Sequence, residues 1–169
     1  MTVKTFYIAS VIVSSVFALA CDPYSRQGPV ALKMSKELRA SCKPEQPCHL
    51  KAADMTDVSW DQLYVFDSRV ERDVIFKRLG TTVEIPGPYY SNKWFFMNEG
   101  KIVHFEQKII PEVDVPMKDG DVDIEPSDAT KDFGKFRRED LFRVEKINTN
   151  PGEAFRLKCS TCDVSSPPT

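Results

Sequence analysis

The chain has 169 residues, 23 of them basic and 25 acidic, for a net charge of −2. Charged residues at 28% beside eleven phenylalanines fit a globular domain and exclude a disordered chain. A balance this even, with no basic stripe, also excludes nucleic acid as an expected partner.

Residues 1–20 read as an export signal. Lys4 is the only charge before an apolar run over residues 6–20, and the small residues Ala18 and Ala20 precede Cys21. A positive start, an apolar middle and a small-residue exit mark a secretory signal peptide. Leu19-Ala20-Cys21 also resembles a bacterial lipobox, in which the cysteine is acylated before cleavage. The usual leucine position, three before the cysteine, holds Ala18 instead. Cysteine parity favours lipidation. The chain has Cys21, Cys42, Cys48, Cys159 and Cys162; lipid on Cys21 leaves four, enough for two disulfides. Plain secretion is the next reading. An uncleaved membrane helix is the third, because the uncharged stretch 5–21 is near the lower length limit for a span. Cleavage would leave 149 residues, enough for one domain with one core. The expected organisation is therefore a signal at 1–20, a lipidated tether at 21–28, one domain at 29–162 and a flexible tail at 163–169.

Pro29 suits a first helical position, and Val30, Met34 and Leu38 recur every four residues, which predicts a helix over 29–41. Residues 42–48 contain two prolines and are expected to loop. A strand is expected over 49–54 and a stronger one over 59–66, where Leu63, Tyr64, Val65 and Phe66 are dense. Ser68 and Glu71 form a capping-box pattern, predicting a helix from that point with Val70, Val74 and Phe76 buried and Gly80 at its end. Residues 81–91 read as loop. Residues 93–97 and 101–106, joined by Asn98-Glu99-Gly100, read as a hairpin in which Gly100 takes a positive φ. The stretch 111–126 is acidic and turn-rich and is expected to be an exposed connection. Residues 127–140 leave helix and strand open. Strands over 141–147 and 154–159 close the domain, the second alternating Phe155, Leu157 and Cys159 with Arg156 and Lys158. The order predicts an α+β domain: a mainly antiparallel sheet with one or two helices on one face, braced by disulfides.

Ser59-Trp60-Asp61-Gln62-Leu63-Tyr64-Val65-Phe66, a capped helix, and then Lys93-Trp94-Phe95-Phe96-Met97-Asn98-Glu99-Gly100-Lys101-Ile102-Val103 together resemble a group of small bacterial lipoproteins. The likeness covers residues 55–105. It implies a lipid-anchored domain facing the bacterial envelope, with the bilayer as partner through acylated Cys21. It implies no activity and maps no catalytic residue. The chain departs from that pattern in its four further cysteines and in the acidic insertion after Pro111.

Three patterns carry possible chemistry. Cys159-Ser160-Thr161-Cys162 has the spacing of thiol-disulfide oxidoreductases, but it follows a strand, and the tail after it is a poor helix former. A structural disulfide is the first reading and redox catalysis the alternative. Cys42 and Cys48 are five residues apart in the gap, wider than common zinc spacings, so zinc is not expected. Three disulfide pairings are open. If the first and last strands lie side by side, 48 opposes 159 and 42 opposes 162, closing long loops that stabilise by about 4 kcal/mol each. The local pairing 42–48 with 159–162 stands nearly level with it.

Asp119, Asp121, Asp123 and Glu125 invite a calcium reading, but an EF-hand counted from Asp119 would need glycine where Ile124 stands and glutamate where Thr130 stands. A solvated acidic loop is the plainer reading, and a docking surface for a basic partner the functional one. Tyr89 and Tyr90 are candidate contacts, since tyrosine is enriched at binding hot spots. His104 and Glu106 share a strand face and are expected to meet at the surface. Trp60 and Trp94 are expected in the core. No metal, cofactor or catalytic set is expected. The functional expectation is an envelope lipoprotein that binds an envelope or periplasmic protein, in an inhibitor-like, immunity-like or accessory role. The alternative is an oxidoreductase using Cys159 and Cys162.

Overall fold

The computed structural model describes residues 27–43, 46–86, 91–109, 116–125 and 133–162. Helix α1 (Pro29–Ser41) leads into strand β1 (Cys48–Lys51) and a short 3-10 turn (Ala52–Met55). Strand β2 (Gln62–Phe66), helix α2 (Arg72–Leu79) and the hairpin β3 (Ser91–Asn98) and β4 (Lys101–Ile109) follow. Strands β5 (Val122–Ile124), β6 (Phe133–Arg137), β7 (Leu141–Asn148) and β8 (Glu153–Cys159) complete the chain order. The class is α+β, as the sequence implies. The single sheet expected is instead two four-stranded sheets, ordered β1-β7-β8-β5 and β4-β3-β2-β6. All pairings are antiparallel except β5 with β8, which is parallel. No described helix is long and apolar enough to cross a membrane.

The split follows from side-chain alternation. Strands β2 and β3 are apolar on both faces, so their sheet must be covered twice. Leu63, Val65, Trp94, Phe96 and Phe136 face a first core shared with α1 and the other sheet, which contributes Phe142, Phe155 and Leu157. Phe66, Phe95 and Met97 face a second core beneath α2, with Ile75, Leu79 and Ile85. Both tryptophans are buried, as expected, and Trp60 meets Phe96 edge-on at 5.5 Å.

The hairpin turn is a tight one. Glu99 and Gly100 have φ of 49° and 73°, the positive pair that a two-residue turn requires. Further along, Phe96 pairs with His104 and Met97 with Ile102, which leaves Val103 as a bulge.

Three local expectations are corrected. The capping box does not form. Asp67 Oδ1 accepts from the Arg69 amide at 2.9 Å, and the Val70 amide donates to the Asp67 carbonyl at 3.2 Å, so the chain turns first. Helix α2 then starts at Arg72 with no side-chain cap, and Ile75 and Leu79 rather than Val74 face inward. Gly80 ends it as expected, at φ 70°. The strand expected over 49–54 stops at Lys51, where the 3-10 turn begins. The acidic stretch is not simply an exposed connection: Val122 and Ile124 are buried in β5.

Disulfides join Cys42 to Cys48 and Cys159 to Cys162, with Cα separations of 5.3 and 5.7 Å. The nested pairing is excluded by strand order. Strand β7 lies between β1 and β8, so 48 and 159 sit two strands apart, about 10 Å, beyond disulfide reach.

Candidate functional site

Helix α1 begins without a cap of its own. Its N-cap is Gly28, and its first turn holds no acidic residue. Orphan amides at a buried helix start must find an acceptor elsewhere. Glu106, from β4, supplies it: its carboxylate accepts from Val30 N at 3.2 Å and Ala31 N at 3.0 Å. Gly28 lets the carboxylate come close, because a Cβ there would sit 2.3 Å from it. His104 Nε2 stands 3.5 Å from Glu106 Oε2, so the same-face pair forms, but Glu106 is buried rather than on the surface. Burial raises the Glu106 carboxyl above the ordinary carboxylate range, against the lowering effect of the two amides and His104.

The acidic residues divide into two pairs. Asp121 is buried and structural. Its carboxylate accepts from Gln27 Nε2 at 2.9 Å and the Lys118 amide at 3.0 Å, and Lys108 Nζ stands 3.8 Å away. Asp119 joins Arg39 of α1 and accepts from the Glu153 amide at 2.9 Å. Asp123 and Glu125 lie elsewhere. Together with Val65, Phe66, Asp67, Asn92 and Ile124 they line a cleft of about 70 Å³.

That cleft opens where the two sheets meet. Asn92 Nδ2 donates to Asp123 Oδ1 at 3.1 Å, tying the start of β3 to β5. Asn92 Oδ1 in turn accepts from the Ser68 amide at 3.0 Å, which fixes the amide's orientation. Among the described residues, the Asp123 carboxylate has no other bond. Glu125 Oε2 lies 3.3 Å from Lys158 Nζ, and Lys158 also reaches Glu145 at 3.2 Å. Burial alone would raise the Asp67 carboxyl, but the side-chain and backbone bonds from Arg69 outweigh it and hold it below the ordinary range. Three carboxylates therefore edge one small opening. Lys93 lies nearby on the other face of β3, donating to the Ser91 carbonyl at 2.7 Å; burial pushes its ammonium below the usual lysine range.

Size limits the chemistry. Cofactor and metabolite pockets run to several hundred Å³, whereas this cleft admits a few waters or the tip of one side chain. Of its three carboxylates, Asp67 is bonded to Arg69, Glu125 faces Lys158 and Asp123 accepts from Asn92.

Tyr89 and Tyr90 lie outside the described residues, as does Cys21. The chain nevertheless resumes at Ser91, next to Asn92, so the tyrosine candidates adjoin in sequence the residue bonded to the acidic candidates. Asp67 and Asn92 are not singled out by the sequence, and Glu106 is read there only as a surface partner of His104. For Glu106 a signal exists: a helix opening Gly28-Pro29 with no acid or hydroxyl in its first turn needs a distant acceptor. For Asp67 and Asn92 none does, since their meeting with β5 depends on the sheets coming together. Comparison with protein-family models, with curated proteins and with solved structures finds no match.

Proposed function

We propose that the chain is a lipid-anchored envelope protein that acts without catalysis, by docking a basic segment of another protein. The bilayer holds it through acylated Cys21, and its domain faces the periplasm. The observation that carries the docking surface is the Asn92–Asp123 bond, which joins two candidate segments far apart in sequence at one acidic cleft. A lysine or arginine tip entering between Asp67, Asp123 and Glu125 would meet three carboxylates, with the polar rim giving register. Export and lipidation rest on the signal pattern and on cysteine pairing. Both described disulfides use cysteines downstream of Cys21, so the fifth is left for the lipid. Six residues from Cys21 to Gln27 span at most about 20 Å, so the start of α1 stays close to the bilayer.

The test is affinity capture from solubilised envelope membranes with the mature chain as bait. A specific protein partner is expected, and the double variant Asp123→Lys with Glu125→Lys should lower its capture at least tenfold. Equal capture by the variant, or no partner at all, would overturn the docking reading. Intact mass of the native product checks the anchor separately: it should begin at Cys21 with acyl chains and two disulfides.

One observation favours the oxidoreductase alternative. Cys159 bonds Cys162 rather than a distant cysteine, as such an enzyme requires. Cys159, however, ends a strand, without the helix N-terminus that lowers a catalytic thiol's pKa. A very stable bridge in a redox titration would remove this reading.

A further inference from the structure

The turn between β6 and β7 brings Asp140 beside the Cys159–Cys162 loop. One carboxylate oxygen and the two sulfurs all lie within 4.8 Å of one another, and all three residues are partly open to solvent. Each piece is held in place by bonds that do not involve the disulfide. Asp140 Oδ2 accepts from the Arg137 amide at 2.7 Å, and the Asp140 carbonyl accepts from Ala52 N at 2.8 Å. On the cysteine side, the Leu141 amide donates to Thr161 Oγ1 at 2.9 Å and Ser160 N donates to the Leu141 carbonyl at 2.8 Å. Leu141, the residue after Asp140, is thus tied directly to the loop carrying both sulfurs. The Cys162 amide also donates to Cys159 Sγ at 3.1 Å, a bond that stabilises negative charge on that sulfur.

We infer that reduction of the Cys159–Cys162 bond unmasks a site for one thiophilic divalent cation of the zinc or cadmium class. A dithiol reductant supplies two electrons and two protons, leaving two thiols and an oxidised reductant. Cation binding then releases both thiol protons, and two thiolates and the Asp140 carboxylate hold the ion. Two residues between cysteines is the tightest common chelate spacing. Metal–sulfur bonds of about 2.3 Å in tetrahedral geometry place the sulfurs about 3.8 Å apart. The Cα separation of 5.7 Å allows this by side-chain rotation alone. Three protein ligands leave a fourth position for water, on the solvent side. In the oxidised chain both sulfurs are spent on each other and the site is closed.

The other disulfide offers no such set. Among the described residues, only Asp140, Cys159 and Cys162 group in this way, although His49 adjoins Cys48 in sequence. The proposal uses none of the residues of the acidic cleft and stands or falls without it.

The experiment uses the mature chain, fully reduced and freed of reductant, titrated with Zn²⁺. Cysteine alkylation is mapped by mass spectrometry, and Cd²⁺ is used in parallel to read thiolate charge-transfer absorption. One equivalent is expected to protect Cys159 and Cys162, and not Cys42 and Cys48, with no binding to the oxidised chain. Asp140→Asn, which keeps an acceptor for the Arg137 amide, should weaken binding at least tenfold while the oxidised variant melts with the wild type. Absence of protection, protection centred on Cys42 and Cys48, or an Asp140→Asn variant that binds as tightly as wild type would overturn the inference. Because protection is read in the unmutated chain, the result does not depend on any variant folding.

Discussion

The β4-β3-β2-β6 sheet is covered on both faces, but by unequal means. Toward the first core, α1 buries Val30, Ala31, Met34, Ser35 and Leu38, its first turn is bonded by Glu106, and Cys42 at its C-cap is bridged to β1. Toward the second core, α2 buries only Ile75 and Leu79 and starts with no side-chain cap. One helix is held at both ends and along its length; the other buries two side chains, with Phe76 packed partly against the same core and Arg72 bonded to the Ile85 carbonyl. The difference teaches where the domain can yield. Opening of α2 would uncover one face of the sheet and leave the first core intact, whereas α1 cannot leave without breaking that core. The acidic cleft sits beside the looser half through Asp67, which is the side where adaptation to a partner is least costly.

Removing a ring from the first core should have the largest effect. Phe96→Ala is expected to cost about 3–5 kcal/mol, because Phe96 is fully buried against Trp60 and its neighbours cannot collapse into the space. Denaturant unfolding should report the loss as a single shifted midpoint. Next, Ile75→Ala should cost about 2–4 kcal/mol, read mainly as a local event. Amide exchange over 72–79 should speed up greatly while β7 and β8 keep their protection. Equal acceleration in both sheets would erase the contrast between the halves.

The bridges give a smaller and sharper test. Closing six residues of sequence separation, Cys42 to Cys48 stabilises by about 2 kcal/mol in the chain-entropy picture. The paired substitution of both by alanine should cost that amount. A loss of about 5 kcal/mol, the figure for a loop of a hundred residues, would indicate a longer-range pairing.

How far the sequence foretold this arrangement depends on how local each cause is. Helix α1, the hairpin, β7, β8 and the stop at Gly80 are written in periodicity and turn chemistry within a few residues. Strand β5 is three residues long, with Asp123 between two apolar residues, and it pairs in parallel with β8. Nothing within 119–125 announces that. Burial of Asp121 likewise depends on Gln27 and Lys108, which are distant in sequence. The false capping box shows local signals competing: Asp67, one residue before Ser68, captures the turn first. The acidic and cysteine candidates were legible as residue types. Their grouping, Asp123 with Asn92 and Asp140 with the cysteines, was not, because sheet order decides it.

The smallest effect is the one that tests the α1 contact most finely. Glu106 lies above its ordinary range when folded, with burial as the leading cause. The native state then holds the proton more tightly than the unfolded chain does. Stability contributed by this group is therefore greatest below its unfolded value, about 4.3, and declines as pH rises through the raised native value. Glu106→Gln removes that slope. In acid the protonated Glu106 likewise offers one carbonyl acceptor to the two amides, so the glutamine mimics it there. The two proteins should thus match in acid, and the variant should become the more stable one toward neutrality. Melting both proteins across that range decides the matter. A wild type that instead gains on the variant as pH rises would mean the two amides outweigh burial. The ionised carboxylate would then be a net clamp on α1, and the rigid half of the molecule would owe more to Glu106 than to its apolar contacts.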